Sequence, residues 1–207
     1  MANLTIVYYS STGQTWQIAS AIEEGARAAG AQTRLRKVPE LASAETIAAK
    51  PAWQVHLDAT REVPEATLAD LEWADGFVFG TPTRFGLPAA QLKQFIDTTG
   101  PLWATGKLQD KAAAAFTGAG NVHGGQESTL LALHNVFYHW GSIIVPLGYT
   151  DDVVYAAGGN PYGTSWPAGF PSTMPDDVTL ACARYQGGRL ARFSAALATA
   201  RATPAHS

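Results

Sequence analysis

Asn3–Ala29 reads NLTIVYYSSTGQTWQIASAIEEGARAA. Its first seven residues, Asn3 to Tyr9, are mostly β-branched or aromatic, the composition of a buried strand. A Ser/Thr/Gly turn follows. From Gln14 to Ala29, Ile18, Ala21, Ile22 and Ala26 recur at helical spacing, and Gly30 then stops the helix as a C-terminal glycine does. Strand, tight polar turn and helix in immediate succession form the opening of a parallel α/β unit.

Outward from this unit the alternation continues. Ala31 to Val38 reads as a second strand and Asp75 to Gly80 (DGFVFG) as a central one. A helix opens at Pro88 and runs to about Asp97, since proline is tolerated in a first helical turn. Ala112 to Thr117 (AAAAFT) is the fourth strand, against the weak strand propensity of alanine. Gln126 to Trp140 places Leu130, Leu133, Val136, Phe137 and Trp140 on one helical face. Ser142 to Pro146 is the fifth strand, and Val178 to Arg201 a terminal helix interrupted by Gly187 and Gly188. The pattern predicts one α/β domain over residues 1–207, a parallel sheet with helices on both faces. Two stretches break the repeat. Residues 39–64 carry Pro39, Pro51 and Pro64, and residues 150–177 are rich in Gly, Pro and aromatics. Loops this long in compact domains are usually functional or disordered. Tyr155, Tyr162, Trp166 and Phe170 do not suit a disordered tail, so the second excursion is expected to pack on something.

Composition excludes several functions. The 207 residues carry 14 basic and 17 acidic side chains, a net charge of −3 spread along the chain. That excludes a nucleic-acid binder working through a basic field, and a strongly acidic carrier. The single cysteine, Cys182, forbids an internal disulfide and a Cys-rich metal site; it reads as a small core residue. His134 and His139 are five residues apart and do not form a zinc pair on one helical face. No metal is expected. The N-terminus has no signal-peptide pattern and no run approaches the length of a membrane helix, so a cytoplasmic protein without membrane insertion is expected.

Three loops follow carboxyl ends of strands, where open parallel sheets bind ligands. The first, Ser10-Ser11-Thr12-Gly13-Gln14-Thr15, offers hydroxyls and backbone N–H groups at a helix N-terminus, an arrangement that binds phosphate. It holds no Lys or Arg and does not match GxxxxGK[ST]. Neutral donors suit a phosphate monoester better than a triphosphate with magnesium. An ordinary Ser/Thr helix cap is the plain alternative. The second loop is Thr81-Pro82-Thr83-Arg84-Phe85-Gly86. The third runs Thr117-Gly118-Ala119-Gly120-Asn121-Val122-His123-Gly124-Gly125, and its glycines let backbone approach a flat ligand. Alone it is a poor dinucleotide fingerprint, with His123 where a glycine belongs and no acidic residue at the ribose offset. Together, a phosphate cradle and two loops able to flank a ring point to a mononucleotide, and to flavin mononucleotide (FMN) in particular.

Phe79–Gly86 (FGTPTRFG), Asp97–Lys111 (DTTGPLWATGKLQDK), Gly124–Glu127 (GGQE), His139 and Val145–Tyr149 (VPLGY) resemble, in order, the WrbA-type NAD(P)H:quinone oxidoreductases. Asn160–Gly163 (NPYG) and Ala183–Gly187 (ARYQG) extend the resemblance through nearly the whole chain. It implies a flavodoxin-like fold with a five-stranded parallel sheet in the order 2-1-3-4-5. It also implies FMN as cofactor, NAD(P)H as donor, quinones as acceptors and a homotetramer. Carried over by position, Ser10 to Thr15 hold the FMN phosphate. Pro82, Thr83, Arg84, Phe85 and Gly86 lie along the isoalloxazine, and Thr117, Gly118, Ala119, Gly120, Asn121 and Gly124 cover its pyrimidine end. His139 corresponds to the family histidine at the flavin site. Trp103 corresponds to the tryptophan that stacks nicotinamide or quinone. Trp103, Arg84 and His139 are thus the candidate catalytic residues. Thr12 stands where the family often has tyrosine, and the Asn121–His123 stretch is about one residue longer than usual. A one-electron carrier of the flavodoxin type keeps the same fold and cofactor and is the alternative.

Overall fold

The computed structural model describes residues 1–202. Seven strands are present among them: β1 (Asn3–Tyr8), β2 (Gln32–Lys37), β3 (Gly76–Arg84), β4 (Leu87–Pro88), β5 (Ala112–Ala119), β6 (Ile143–Ile144) and β7 (Ser165–Pro167). The main path runs β2-β1-β3-β5-β6, all parallel. This is the expected 2-1-3-4-5 order once the short β4 is set aside.

The expectation of five strands is corrected to seven, for two local reasons. Phe85 (φ 54°) and Gly86 (φ 78°) reverse the chain after β3, so β4 returns antiparallel on it. At the other edge, β6 pairs with β5 only at Ala112 and Ala113, and Val145 adds one more bond to Ala113. Pro146 then brings no N–H to the ladder. The upper half of that edge is taken by β7, which pairs with Thr117–Ala119.

Helices α1 (Gln14–Ala28) and α9 (Asp177–Ala202) cover one face. The other carries α4 (Leu68–Trp73), α5 (Ala90–Asp97), α6 (Gly100–Ala104) and α7 (Gln126–Trp140). Period-2 alternation divides β3 between them: Phe77 and Phe79 join Phe137 and Trp140 on one face, while Val78 packs with Ile6, Tyr8, Ile22 and Phe116 on the other. Ala112–Ala115 form a strand against their propensity because β5 is buried along its length. The glycines inside α9 also have a cause. A Cβ at Gly187 would stand 2.0 Å from Ile22 O, and one at Gly25 1.9 Å from Arg184 O. Small residues on both helices therefore permit a crossing with backbones nearly in contact.

Both excursions are structured. Residues 39–64 contain α2 (Ala44–Ala48) and α3 (Pro51–Ala59), the latter with proline at its start. The second contains α8 (Asp152–Ala156) and β7. Cys182 is buried, as expected, and burial pushes its thiol up. No helix among the described residues is long and apolar enough to cross a membrane. No cluster of three or more His, Cys, Asp or Glu able to hold a metal ion occurs among them.

Candidate functional site

The ends of β1, β3 and β5 converge on one groove. Its walls include Ser10, Ser11, Thr12, Gln14, Thr15, Pro82, Thr83, Arg84, Gly118, Ala119 and Gly120. The three loops identified in the sequence therefore meet. Two are shorter than expected, because β3 runs on to Arg84 and β5 to Ala119. Thr81–Arg84 are strand residues, which leaves only Phe85 and Gly86 as a turn. Thr117 is fully buried, its hydroxyl donating to Thr81 O at 2.7 Å; it braces the two strands rather than lining the groove.

The phosphate loop owes its shape to Gly13, the residue before α1, at φ 99°. An L side chain rarely adopts that conformation, and glycine does so without steric cost. Gly13 N–H donates to Ser10 Oγ at 3.1 Å, and Thr12 Oγ1 to Gln14 Oε1 at 2.6 Å. The N–H groups of Gln14 and Thr15, at the start of α1, have no acceptor among the described residues, as helix geometry requires. No acidic residue occupies the first turn of α1. Free N–H groups, hydroxyls and the helix dipole together fit a phosphate monoester. Among the described residues, Arg84 is the one cation that lines the groove.

Below the loop, Tyr9 Oη donates to Glu40 Oε2 at 2.8 Å, and Gln91 and Trp53 donate to the same carboxylate. Burial alone would raise Glu40, but bonds from the Ala42 and Leu41 N–H groups, Gln91 and Tyr9 outweigh it and hold the carboxyl below its ordinary range. Tyr9 is pushed up by burial and by Glu40. His56, on α3, sits behind Gly13: its Nδ1 is 3.6 Å from where a Cβ there would stand. Burial and Lys37 depress its pKa.

The glycine loop serves a purpose the sequence did not reveal. A Cβ at Gly120 would lie 2.5 Å from Phe170 Cζ, and one at Gly124 2.7 Å from Ala119 Cβ. These glycines admit neighbouring protein atoms. Gly124 and Asn121 close the outer turn through a 3.1 Å hydrogen bond and do not line the groove. Phe85 is fully exposed at the hairpin tip, beside Gly86.

Trp103 and His139 are not brought to the groove within the chain. Trp103 lies in the short helix α6 and is 57% exposed. Its indole N–H donates to His139 O at 2.9 Å, next to the C-terminus of α7. The other end of α7 touches the groove, where Thr83 Oγ1 donates to Gly125 O at 3.2 Å. The 15 residues of α7 separate the two ends by about 22 Å at 1.5 Å per residue. Sequence reasoning also missed Trp166, Ala168, Gly169, Phe170 and Ser172, which form part of the wall. The signal for them was the aromatic, Gly-rich composition of the second excursion.

Residues 5–151 match the model of the NADPH-dependent FMN reductases. An NAD(P)H dehydrogenase (quinone) of Deinococcus radiodurans is 47% identical over 94% of this chain and 96% of its own length. The chain belongs to this family. A second member, from Sinorhizobium fredii, is 41% identical over 96% of the chain and 100% of its own length. Among solved structures, a WrbA-like flavodoxin protein of Agrobacterium tumefaciens superposes with a TM-score of 0.65 at 28% identity, covering 95% of this chain and 99% of that one. Megasphaera elsdenii flavodoxin superposes with a TM-score of 0.57 at 17% identity, which shows the shared fold. The family match and the loop geometry agree, because the groove lies where a flavodoxin-like sheet carries its ligand.

Proposed function

We propose that the chain is an FMN-dependent enzyme that reduces quinones with NAD(P)H. The observation carrying this reading is the convergence of three strand-end loops on one groove with a neutral phosphate cradle, in a chain of the quinone-reducing family. The cradle of Ser10, Ser11, Thr12, Gly13, Gln14 and Thr15 would hold the FMN phosphate. Pro82, Thr83 and Arg84 on one side and Gly118, Ala119 and Gly120 on the other would flank the ring. When bound, FMN would supply two-electron hydride chemistry, through N5, between NAD(P)H and the quinone. Arg84 contributes positive charge beside the groove, where negative charge develops. One groove serving donor and acceptor in turn implies ping-pong kinetics.

Trp103 and His139 act, in this reading, from a second copy of the chain. They sit about one helix length from their own groove, and Trp103 and Tyr138 beside His139, with Leu131 on α7 and Ile143 after it, are exposed hydrophobic residues. Exposed aromatic and aliphatic residues of this kind mark association surfaces. A homotetramer brings the Trp103–His139 edge of one protomer to the groove of another, where the indole stacks nicotinamide or quinone. A cytoplasmic setting supplies NAD(P)H and keeps Cys182 reduced.

The test is an anaerobic visible spectrum of the FMN-reconstituted protein before and after NADH, followed by a quinone turnover assay. Bleaching of a bound flavin band by NADH, and quinone reduction above the free-FMN background, are expected. A bound flavin that NADH leaves untouched would replace this reading with the one-electron carrier.

A further inference from the structure

Ala168–Met174 connects two of the three loops without belonging to any of them. Ala168 N–H donates to Ala119 O at 2.7 Å, extending the β7–β5 pairing by one bond. The segment then leaves the sheet, turns at Gly169 (φ 79°), and is pinned back by Thr173 N–H to Ala168 O at 2.8 Å. The Thr173 hydroxyl donates to the same oxygen at 2.9 Å, and Trp166 Nε1 donates to Thr173 O at 3.1 Å. A closed loop results, held at its neck.

Its rim contacts both sides of the groove. The Phe170 ring lies over Gly120, so closely that any side chain there would collide with it. At the other end, Gln14 Nε2 donates to Ser172 Oγ at 2.8 Å, and Met174 Cε lies 3.3 Å from the Cβ position of Gly13. Ala168, Gly169, Phe170 and Ser172 all line the groove. Phe170 is nevertheless 84% exposed and joins none of the core clusters. A phenyl ring placed over a ligand groove and contributing little to the protein core has unsatisfied apolar surface facing that groove.

We propose that Ala168–Met174 is a fourth cofactor loop, in which Phe170 lies against bound FMN and holds it in the groove while Ser172 and Met174 close the phosphate end. The proposal rests on the FMN reading of the groove. It assigns Phe170 as a cofactor-positioning residue from outside residues 5–151, the stretch matched by the family model. Gly120 is glycine because the ring must pass over it.

The experiment measures FMN release after dilution of the holoprotein, followed by the rise of free-flavin fluorescence. Thermal unfolding of the apoprotein is recorded in parallel. Phe170→Ala is expected to release FMN about tenfold faster, equivalent to about 1.4 kcal/mol and within the range of an aromatic contact plus its buried area. Phe170→Tyr should restore slow release, and Ser172→Ala should accelerate it about threefold, as loss of one rim hydrogen bond would. The apoprotein melting temperature should stay the same in all three variants, because the ring is outside the core. Release from Phe170→Ala at the wild-type rate would overturn the proposal while leaving the FMN reading intact. Unfolding of the Phe170→Ala apoprotein would overturn it too, by making the ring structural. Failure of the wild-type chain to bind FMN would instead refute the underlying reading, and the fourth loop with it.

Discussion

If Trp103 serves a groove on another protomer, two inactive variants must rescue each other. Trp103→Ala keeps its groove and loses the stacking ring. Gly13→Val keeps Trp103 and loses the phosphate cradle, since valine at φ 99° is strained and its side chain meets Met174 and His56. Each parent alone should fall at least tenfold in kcat/KM with NADH and a soluble quinone. In oligomers assembled at random from equal amounts, a site is whole when its groove comes from one parent and its tryptophan from the other, so about one quarter of sites recover. The geometry allows no intermediate value from within a chain. Trp103 is tied to His139 at the far end of α7, about 22 Å from the Thr83–Gly125 contact at the groove, and no side chain spans that distance. The assay co-expresses the variants with different affinity tags, purifies oligomers carrying both, and compares their activity per protomer with each parent. Recovery near one quarter of wild type is expected. Activity equal to the mean of the two parents would refute the shared site and place Trp103 outside the reaction.

Further predictions concern charge and packing. Arg84→Leu removes the cation that lines the groove and should lower kcat/KM for NADH about tenfold, with FMN affinity changed less than threefold; equal losses in both would show that Arg84 only holds the cofactor. Burial lowers the pKa of His134 to about 4, and its Nε2 has no hydrogen-bond partner among the described residues. Below the unfolded-state value near 6.5 the unfolded chain binds a proton that the folded chain refuses. Stability from this group is therefore lost as pH falls from about 6.5 to about 4, by about 3 kcal/mol in all. His134→Leu should flatten that part of a denaturation-versus-pH curve, and an unchanged difference between pH 7 and pH 4 would refute the assignment. Gly187→Ala places a methyl 2.0 Å from Ile22 O and should destabilise the chain by about 2 kcal/mol, despite the gain of helix propensity, lowering the melting temperature by roughly 4–8 °C. A raised melting temperature would mean that the helix crossing yields easily.

The sheet was legible because its strands are either apolar runs or lie beside unmistakable turns, and because parallel topology leaves few orders. Asn3–Tyr8 and Gln126–Trp140 fall within one residue of their expected bounds. The departures have physical causes. Thr81–Arg84 read as loop because Pro82 and polar residues mark a turn, yet these residues extend β3 to meet β5 and β4. Leu87–Pro88 and Ser165–Pro167 are too short to show a period. The hydroxyl-rich loop and FGTPTRFG identified half of the groove, because chemistry there depends on residue type. Trp166, Phe170 and Ser172 were invisible as site residues. Only the long-range pairing of β7 with Thr117–Ala119 brings them to it.

Trp103 and His139 show a different limit. Their residue types and neighbouring motifs mark them as functional, but sequence carries no information on which copy of the chain they serve. In the fold they lie at the amino end of β5 and β6 while the groove lies at the carboxyl ends, which is the observation behind the proposal of a second copy. A parallel sheet with its ligand at one edge leaves the opposite edge free for another purpose. Here that edge carries the exposed Trp103 and Tyr138, with His139 bonded to the Trp103 indole. Catalysis and assembly would then select the same residues. A mutation that weakens association would lower turnover at low protein concentration and spare FMN binding, which depends on loops within one chain. Activity per site should therefore fall on dilution well before flavin is lost.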